Sequence, residues 1–381
     1  MKLLHTSDWH LGRFLHQHSL LDDQQHVVDQ IAAIAKEESV DAVMIAGDLY
    51  DRAVPPGEAI GLYDKFLDAI CIDLGLPVLA IAGNHDSGER VGFGASLLGQ
   101  AGYTVSGQLP ETFVPVTLNA GGESVDVFLV PYAQPAQVRD CYGVECNTHE
   151  EAMKFLLGKI EESRSGDRPT VVMAHCFVAG SSVSDSEREL SVGGADNIPA
   201  DLFVNFDYVA LGHLHGPQRC SEEHIRYSGS PLKYSFSEVG HTKSVTIVEI
   251  GSSGVSVAQR TLRSLRDVRI VEGLLSEILE QAKTDPGSED YIQVRLSDSD
   301  SQLDVMARLR EVYPNVMQVV YTDRSSPLMS SAEDIQEHLH TGHFDRFARF
   351  FKEIKGEELN EAQRSHLNLV ISEVQEIMDA S

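Results

Sequence analysis

Five short apolar runs dominate the first two-thirds of this 381-residue chain. Each run is rich in Val, Ile and Leu and is bounded by Gly, Pro or polar residues, which is typical of buried β-strands. The runs are Val40–Ala46, Pro77–Ala82, Val125–Val130, Thr170–Ala174 and Asp207–Leu211. Between or before them, Asp22–Glu38 and Gly57–Ile72 carry apolar residues at helical spacing. The alternation of strands and helices predicts an α/β core.

A second, smaller domain is predicted after residue 265. Alternating apolar residues over Ser244–Arg263, with a Gly-Ser-Ser-Gly turn, predict a hairpin that closes a first domain over residues 1–265. Residues 266–324 then alternate strand-like and helix-like segments. This pattern predicts a compact β-α-β-α-β domain.

The last part of the chain, residues 333–380, is predicted to be a helical tail. It follows a Ser-Ser-Pro linker at 325–327, and its first helix is predicted to end at Gly356. One face of that helix carries Phe344, Phe347, Phe351 and Ile354. Asn360 and Gln363 are a predicted N-terminal capping pair for the second helix.

Charge and composition limit the partners that the chain can bind alone. The net charge is −28, and residues 1–265 carry 18 Lys and Arg against 35 Asp and Glu. No basic arm is present, so a polyanionic substrate would need bound cations or a partner for its attraction. No apolar run reaches the roughly 18 residues of a membrane span, and no signal peptide is evident. Five cysteines without a CxxC pair predict free thiols in a reducing cytoplasm.

Motifs with Asp, Asn and His stand near the N-terminus and where predicted strands end. They are TSDWHLG at 6–12, GDLYD at 47–51, GNHD at 83–86, His175, and GHLH at 212–215. Ligands of open α/β sheets bind beyond the carboxyl ends of the strands, so we expect these motifs to meet at one edge. A single motif would be weak, but five in this order indicate a metal site.

This set of side chains suits two divalent cations. Two cations about 3.5–4 Å apart can hold the attacking and leaving oxygens of a phosphoryl displacement, with one carboxylate between them. Imidazole and amide ligands complete the coordination and leave positions for water and phosphate. Nitrogen-rich, sulfur-free ligation favours Mn, Fe or Zn over Mg.

The motifs D-x-H, GD-x-x-D, GNHD, the lone His and GH-x-H resemble those of the calcineurin-like metallophosphoesterases. More narrowly, the chain resembles the SbcD family of bacterial double-strand-break repair nucleases. The pieces that carry this narrower resemblance are HTSDWHLG at 5–12, AGDLYD at 46–51, AGNHDS at 82–87, SERELSVGG at 186–194, DYVALGHLH at 207–215 and YSGSPLKYSFSE at 227–238. The resemblance implies a β-sandwich flanked by helices, a small α/β capping domain and helices that bind an ATPase.

The resemblance also implies a role for each motif residue. One metal would be held by Asp8, His10, Asp48 and His215, and the second by Asp48, Asn84, His175 and His213. Asp48 would bridge the two ions. His85 would protonate the leaving oxygen, and Asp86 would orient the His85 ring. Archaeal and eukaryotic relatives tend to have a histidine where this chain has Asp51, so the resemblance gives Asp51 no firm role.

The function implied by the resemblance is a Mn²⁺-dependent DNA nuclease. It would be a 3′→5′ exonuclease on duplex ends and an endonuclease on single strands or hairpins, acting in repair, recombination and replication. It would work with the SbcC ATPase, as a homodimer within a heterotetramer. One alternative is a phosphatase or cyclic-nucleotide phosphodiesterase, although phosphatases usually have GNHE. A second is a scaffold for an ATPase, which would have no need of an intact ligand set.

Other residues that attract attention have ordinary structural interpretations. His16 and His18 are predicted to be surface histidines in a polar loop. Trp9 is predicted to pack beside the site. Cys176 is predicted to be a small buried hydrophobic residue rather than a ligand.

Overall fold

The computed structural model describes residues 1–187, 197–251, 254–298, 303–322, 344, 347–348, 351–352 and 358–379. The chain divides into two compact units, Met1–Tyr321 and Thr322–Ser381. The strands are β1 (Lys2–Thr6), β2 (Phe14–Leu15), β3 (His18–Ser19), β4 (Ala42–Ala46), β5 (Val78–Ile81), β6 (Tyr103–Ser106), β7 (Val116–Ala120), β8 (Glu123–Val130), β9 (Thr170–His175), β10 (Tyr208–Gly212), β11 (Gln218–Cys220), β12 (Glu222–Tyr227), β13 (Ser244–Gly251), β14 (Gly254–Thr261), β15 (Val268–Gly273), β16 (Tyr291–Leu296) and β17 (Val316–Tyr321). The helices are α1 (Leu21–Glu37), α2 (Gly57–Leu67), α3 (Gly88–Val91), α4 (Ala95–Leu98), α5 (Pro135–Tyr142), α6 (His149–Ser163), α7 (Leu275–Ala282), α8 (Val305–Arg310) and α9 (Glu361–Asp379).

Two six-stranded sheets form the larger part of the first unit. Their strand orders are β14-β13-β1-β4-β5-β6 and β11-β12-β10-β9-β8-β7. In the first sheet β1, β4, β5 and β6 run parallel, and the β13–β14 hairpin adds antiparallel to β1. In the second, β8, β9, β10 and β12 run parallel, with β7 and β11 antiparallel at the edges. The carboxyl ends of the parallel strands in each sheet therefore lie along one edge.

The sheets pack face to face and are covered by helices on their outer faces. Strand β4 illustrates this packing on both faces. Ala42 and Met44 lie in the apolar cluster between the sheets, while Val43 and Ile45 pack with α1 and α2. On the second sheet, the outer cluster includes residues of α5 and α6. A strand covered on both faces needs apolar residues at every position, which explains the continuous apolar runs.

The two sheets approach each other closely where β4 and β10 end. A Cβ placed on Gly212 would lie 1.8 Å from the carbonyl oxygen of Ala46, so only glycine permits this approach. The ring of His175, at the end of β9, contacts the same carbonyl, with Nδ1 2.9 Å from it. Side chains that follow strands of both sheets can therefore reach one another.

The small α/β region packs against the sandwich within the first unit. Its strands form a parallel sheet in the order β15-β16-β17, and its core includes residues of α7 and α8. Arg266 makes an ion pair with Asp23 of α1 at 2.6 Å, and the hydroxyl of Tyr291 donates to the same carboxylate at 2.8 Å. Asp23 is buried, so these bonds satisfy a charge that would otherwise be costly.

The predicted fold class is confirmed. The five apolar runs are β4, β5, β8, β9 and β10, with ends shifted by two residues or fewer, and the predicted hairpin is β13–β14. The helix predicted over Gly57–Ile72 ends at Leu67, and Asp68–Asp73 continue it as a π-helical turn. Several elements were not predicted, namely β1, β2, β3, β6, β7, β11, β12, α3, α4, α5 and α6.

The tail prediction is confirmed only in part. Asn360 Oδ1 accepts the main-chain N–H of Gln363, and Gln363 Oε1 accepts that of Asn360, both at 2.9 Å, so the capping pair at the start of α9 is confirmed. The 325–327 linker, Ile354 and Gly356 lie outside the described residues, as do most residues of the first predicted tail helix. Within the part of the chain that is described, no helix has the length and hydropathy of a membrane span.

Candidate metal centre

The backbone is strained at four of the predicted ligands. The φ angles are 55° at Asp8, 46° at His10, 50° at Asp48 and 112° at His213. Positive φ is uncommon outside glycine and costs of order 1–3 kcal/mol per residue, and such strain concentrates at functional sites. These residues closely follow strands that end at the shared edge of the two sheets, where the chain must turn sharply to point side chains inward.

Asp48 lies at the centre of the site. Its Oδ1 accepts the main-chain N–H of His85 at 2.8 Å, which fixes the carboxylate. Its Oδ2 is 3.6 Å from Nε2 of His10 and 3.4 Å from Nε2 of His175. Burial acts to raise the pKa of Asp48, but the neighbouring imidazoles outweigh burial and hold that pKa well below its ordinary value. Asp48 is therefore an ionised carboxylate with one oxygen between two imidazole nitrogens.

On one side of Asp48, Asp8, His10 and His215 bring a carboxylate oxygen and two ring nitrogens within 4.8 Å of one another. Nε2 of His10 is 3.1 Å from Nε2 of His215, and Nδ1 of His10 has no hydrogen-bond partner within the described chain. Burial lowers the pKa of His10 well below its ordinary value and raises that of Asp8 to about 6. Imidazole nitrogens that face each other without an acceptor between them are suited to binding a cation.

On the other side, Asn84, His175 and His213 converge. The Oδ1 atom of Asn84 is 2.9 Å from Nε2 of His175 and 3.2 Å from Nδ1 of His213, while its buried Nδ2 has no partner within the described residues. Burial lowers the pKa of His213 to about 3. Burial also opposes the charged form of His175, but the Asp48 carboxylate overcomes it and raises the pKa of His175 to about 9.

All seven predicted ligands are therefore brought together. Six of them are buried and Asn84 is half-buried. The set offers oxygen and imidazole nitrogen without sulfur, it has one carboxylate oxygen between two groups, and it leaves polar atoms of His10 and Asn84 unpaired within the described chain. Two divalent cations fit this donor set.

His85 lies beside these ligands, but the prediction that Asp86 orients its ring is wrong. Nδ1 of His85 is 2.9 Å from the main-chain carbonyl of Asp51, not from the carboxylate of Asp86. Asp86 instead accepts three main-chain N–H groups, those of Leu49, Tyr50 and Gly83, at 2.9–3.0 Å. Through these three hydrogen bonds Asp86 connects the loops after β4 and β5, and the His85 ring is oriented by the carbonyl of Asp51 instead.

Side chains to which the sequence assigned no role support the ligands. Burial acts to raise the pKa of Glu238, but its hydrogen bond to His215 and the charge of Lys243 hold that pKa well below the ordinary value. Arg13 pairs with the Asp51 carboxylate at 3.3 Å, close to His10. Arg13 directly follows the TSDWHLG motif and Asp51 ends the GDLYD motif, whereas Glu238 was marked only by its place in the 227–238 motif.

The ordinary structural interpretations of His16, His18, Trp9 and Cys176 are confirmed. His16 and His18 are exposed. Trp9 is fully buried and packs edge-on against Phe66 with ring centroids 4.8 Å apart. Cys176 is buried, and burial raises the pKa of its thiol, as expected for an unreactive core residue.

The chain is similar to two known families. Residues 1–217 match the family profile described as calcineurin-like phosphoesterase, and residues 264–355 match that of the type 5 capsule protein repressor C-terminal domain. The SbcD subunit of the nuclease SbcCD from Staphylococcus epidermidis is 32% identical over 83% of this chain and 84% of its own length. That of Staphylococcus saprophyticus is 33% identical over the same shares. A solved dimetal phosphatase from Danio rerio aligns over 68% of this chain and 96% of its own, with 11% identity and a TM-score of 0.39.

Proposed function

The chain belongs to the calcineurin-like phosphoesterases and, within them, to the SbcD nucleases, and we propose on that basis that it is a Mn²⁺-dependent DNA nuclease. As a member of these families it is a metal-dependent phosphodiester hydrolase with a dinuclear metal site. The observation that carries the proposal is the position of Asp48 between the imidazoles of His10 and His175.

We assign the ligands as two sets that share Asp48. Asp8, His10, Asp48 and His215 would hold one ion, and Asp48, Asn84, His175 and His213 would hold the other. Four imidazoles in the combined set favour Mn²⁺ over Mg²⁺, which prefers oxygen ligands. When bound, such ions polarise the phosphate and lower the pKa of water so that it becomes a nucleophile at neutral pH.

The chain itself supplies the proton that leaves with the product. The carbonyl of Asp51 can only accept, so Nδ1 of His85 carries a hydrogen and is fixed 2.9 Å from that carbonyl. Nε2 is then the ring nitrogen that can exchange a proton with a substrate oxygen. In the protonated form of the ring, His85 donates from Nε2 to the leaving oxygen, which is general acid catalysis.

The substrate proposed is DNA, cut as a 3′→5′ exonuclease on duplex ends and as an endonuclease on single strands and hairpins. Such activity would serve repair, recombination and the processing of hairpins during replication. The charge of −28 leaves little attraction for a polyanion, so bound cations and a partner would contribute to binding DNA. The relatives from the SbcCD nuclease support SbcC as that partner. We propose the tail, residues 333–380, as the segment that docks to it.

We propose that a second copy of this chain binds to one apolar surface. Val54, Ile60, Phe93 and Leu98 line one shallow cavity, and Phe93 is 83% exposed. Exposed apolar patches of this kind mark interaction sites, and the resemblance to the SbcD family supports a homodimer within a heterotetramer. Phe93→Asp is expected to convert dimers to monomers in sedimentation equilibrium, with the metal centre unchanged.

One assay separates the proposed nuclease from the alternatives. The purified protein is incubated with Mn²⁺ and, separately, linear duplex, hairpin DNA, a phosphopeptide and a cyclic nucleotide. Cleavage of DNA alone supports the proposal, hydrolysis of the phosphopeptide or cyclic nucleotide alone indicates another phosphoesterase, and no hydrolysis supports a scaffold.

Two variants assign the reaction to the centre. Asp48→Ala is expected to lose both metal and activity, because it removes the shared ligand. His85→Gln is expected to keep metal and lose activity by about 10²–10⁴-fold, the usual value of an acid catalyst. Metal content measured on both proteins decides the assignment, and a His85→Gln protein emptied of metal would contradict it.

A further inference from the structure

The ring of His215 is held, on the side away from the metal centre, by side chains that the proposed chemistry does not use. Nδ1 of His215 lies 2.8 Å from Oγ of Ser186 and 3.2 Å from Oε1 of Glu238. The Ser186 hydroxyl donates in turn to the same Glu238 oxygen. Glu238 is completely buried, and it comes from a segment 23 residues beyond His215 in the chain.

Lys243 balances the charge of the buried carboxylate. Its ammonium group donates to Oε2 of Glu238, to the main-chain carbonyl of His215 at 2.9 Å and to Oγ of Ser230 at 2.8 Å. Glu238 paired with a cation in this way is an acceptor at both oxygens. Since the Ser186 hydrogen points to Glu238, the Ser186 oxygen is also an acceptor for His215.

Both neighbours of Nδ1 therefore accept, so in the neutral form of the His215 ring the hydrogen lies on Nδ1. The other nitrogen, Nε2, then carries the lone pair, and it faces the centre 3.1 Å from Nε2 of His10. This is the tautomer that a cation ligand needs at Nε2.

The segment that carries Ser186 is itself hydrogen-bonded to residues of the site. Oε1 of Glu187 accepts the main-chain N–H of His215 at 2.7 Å. Arg13 donates from its guanidinium to the main-chain carbonyl of Ser186 at 3.1 Å. The side chain and the main chain of His215 are thus both held by consecutive residues of one loop.

We propose that Ser186 and Glu238 are positioning residues that fix the Nδ1–H tautomer of His215 and thereby set the affinity of its metal site. The proposal rests on the role of His215 as a ligand in the proposed function. Outer hydrogen-bond partners of ligating histidines typically change metal affinity or activity by about 10–100-fold. Removal of the Ser186 hydroxyl alone leaves Glu238 at 3.2 Å as a weaker acceptor, so we expect a loss of about tenfold for Ser186→Ala.

The test compares Ser186→Ala and Glu238→Gln with Ser182→Ala as the matched control. Ser182 lies in the same loop, and its described hydrogen bonds are made by its main chain to Gln218. Mn²⁺ affinity is measured by titration calorimetry on chelator-treated protein. The His215 tautomer is read from long-range ¹⁵N–¹H correlations in the same metal-free protein, with His215→Ala providing the assignment.

We expect Nδ1–H at His215 in the wild-type protein, weaker Mn²⁺ binding in both variants and wild-type binding in Ser182→Ala. An Nε2–H tautomer in the wild type, or wild-type Mn²⁺ affinity in Ser186→Ala, would overturn the proposal. If Glu238→Gln unfolds because Lys243 is left unpaired, the Mn²⁺ affinity of Ser186→Ala alone tests the proposal. Wild-type Mn²⁺ affinity in His215→Ala would instead refute the ligand assignment and with it the basis of this inference.

Discussion

Gly83→Ala is predicted to damage the metal centre without replacing any ligand. Gly83 lies between β5 and Asn84, and its φ is outside the left-handed region, so alanine can adopt the same backbone. A Cβ there would lie 2.2 Å from Oδ1 and 2.3 Å from the main-chain nitrogen of Asp48. Ordinary contact needs about 1 Å more, so either the backbone and carboxylate of Asp48 or the loop after β5 must move by that amount.

The structure gives the size of the effect. Overpacking in a rigid interior typically costs about 1–3 kcal/mol of stability. A misplacement of about 1 Å at a catalytic centre can cost about 10²-fold in rate, and here it would also move a shared metal ligand. We therefore expect Gly83→Ala to retain less than one of its two Mn²⁺ ions after desalting and to hydrolyse a generic phosphodiester about 10²-fold more slowly.

Gly61→Ala is the matched control. Gly61 lies inside α2, and a Cβ there would meet no atom within 4 Å. The same substitution should keep full metal content and activity and should stabilise the protein by about 0.5–1 kcal/mol, because alanine is the better helix former. Elemental analysis, the phosphodiester assay and urea unfolding are run on both variants. Full metal content and wild-type rate in Gly83→Ala would refute the reasoning.

Three further predictions concern pH, DNA and the tail. Burial lowers the pKa of His5 to about 3 from an ordinary value of 6.5, so the unfolded chain binds a proton that the folded chain does not, and stability falls as the pH drops below 6.5. Between pH 7 and pH 5, the free energy of unfolding of His5→Gln should therefore fall by about 2 kcal/mol less than that of the wild type. Urea unfolding in the presence of chelator measures both values, and an equal fall in the two proteins would contradict the prediction. A His85→Gln protein should bind labelled duplex weakly without divalent ions and more tightly with Mn²⁺ at fixed salt, because residues 1–265 carry a net −17; tight binding without divalent ions would reveal a basic groove. Deletion of residues 333–381 should leave Mn²⁺-dependent cleavage of single-stranded DNA intact and abolish co-purification with SbcC, whereas loss of cleavage or of folding would place the tail in the core.

The sequence by itself determined the elements whose residues carry a local pattern. The central strand β4 is buried on both faces, so it has to be apolar at every position, and such a run can be recognised without its neighbours. The capping pair of Asn360 and Gln363 is equally local, since both bonds span three residues. The strand β1 was missed because it holds two polar residues, His5 and Thr6, that are nevertheless buried.

The candidate site likewise has features that the sequence predicts and features that it does not. The ligand types and their order along the chain are written in the motifs, and the positions beyond strand ends follow from the topology of parallel sheets. The acceptor for His85 was not predictable, because it is the main-chain carbonyl of Asp51, 34 residues away. Every residue has such a carbonyl, so none of them leaves a signal in the sequence.

Only the tertiary structure decided which side chains support the ligands. Glu238 and Ser186 are separated by 52 residues, and both meet His215 only because the chain returns to the same edge of the sandwich. A buried carboxylate is costly unless it is paired, but its partners, Lys243 and Ser186, depend on how the loops fold over β10. Local sequence specifies which groups are available for chemistry, whereas hydrogen bonds between distant segments fix their orientation and protonation.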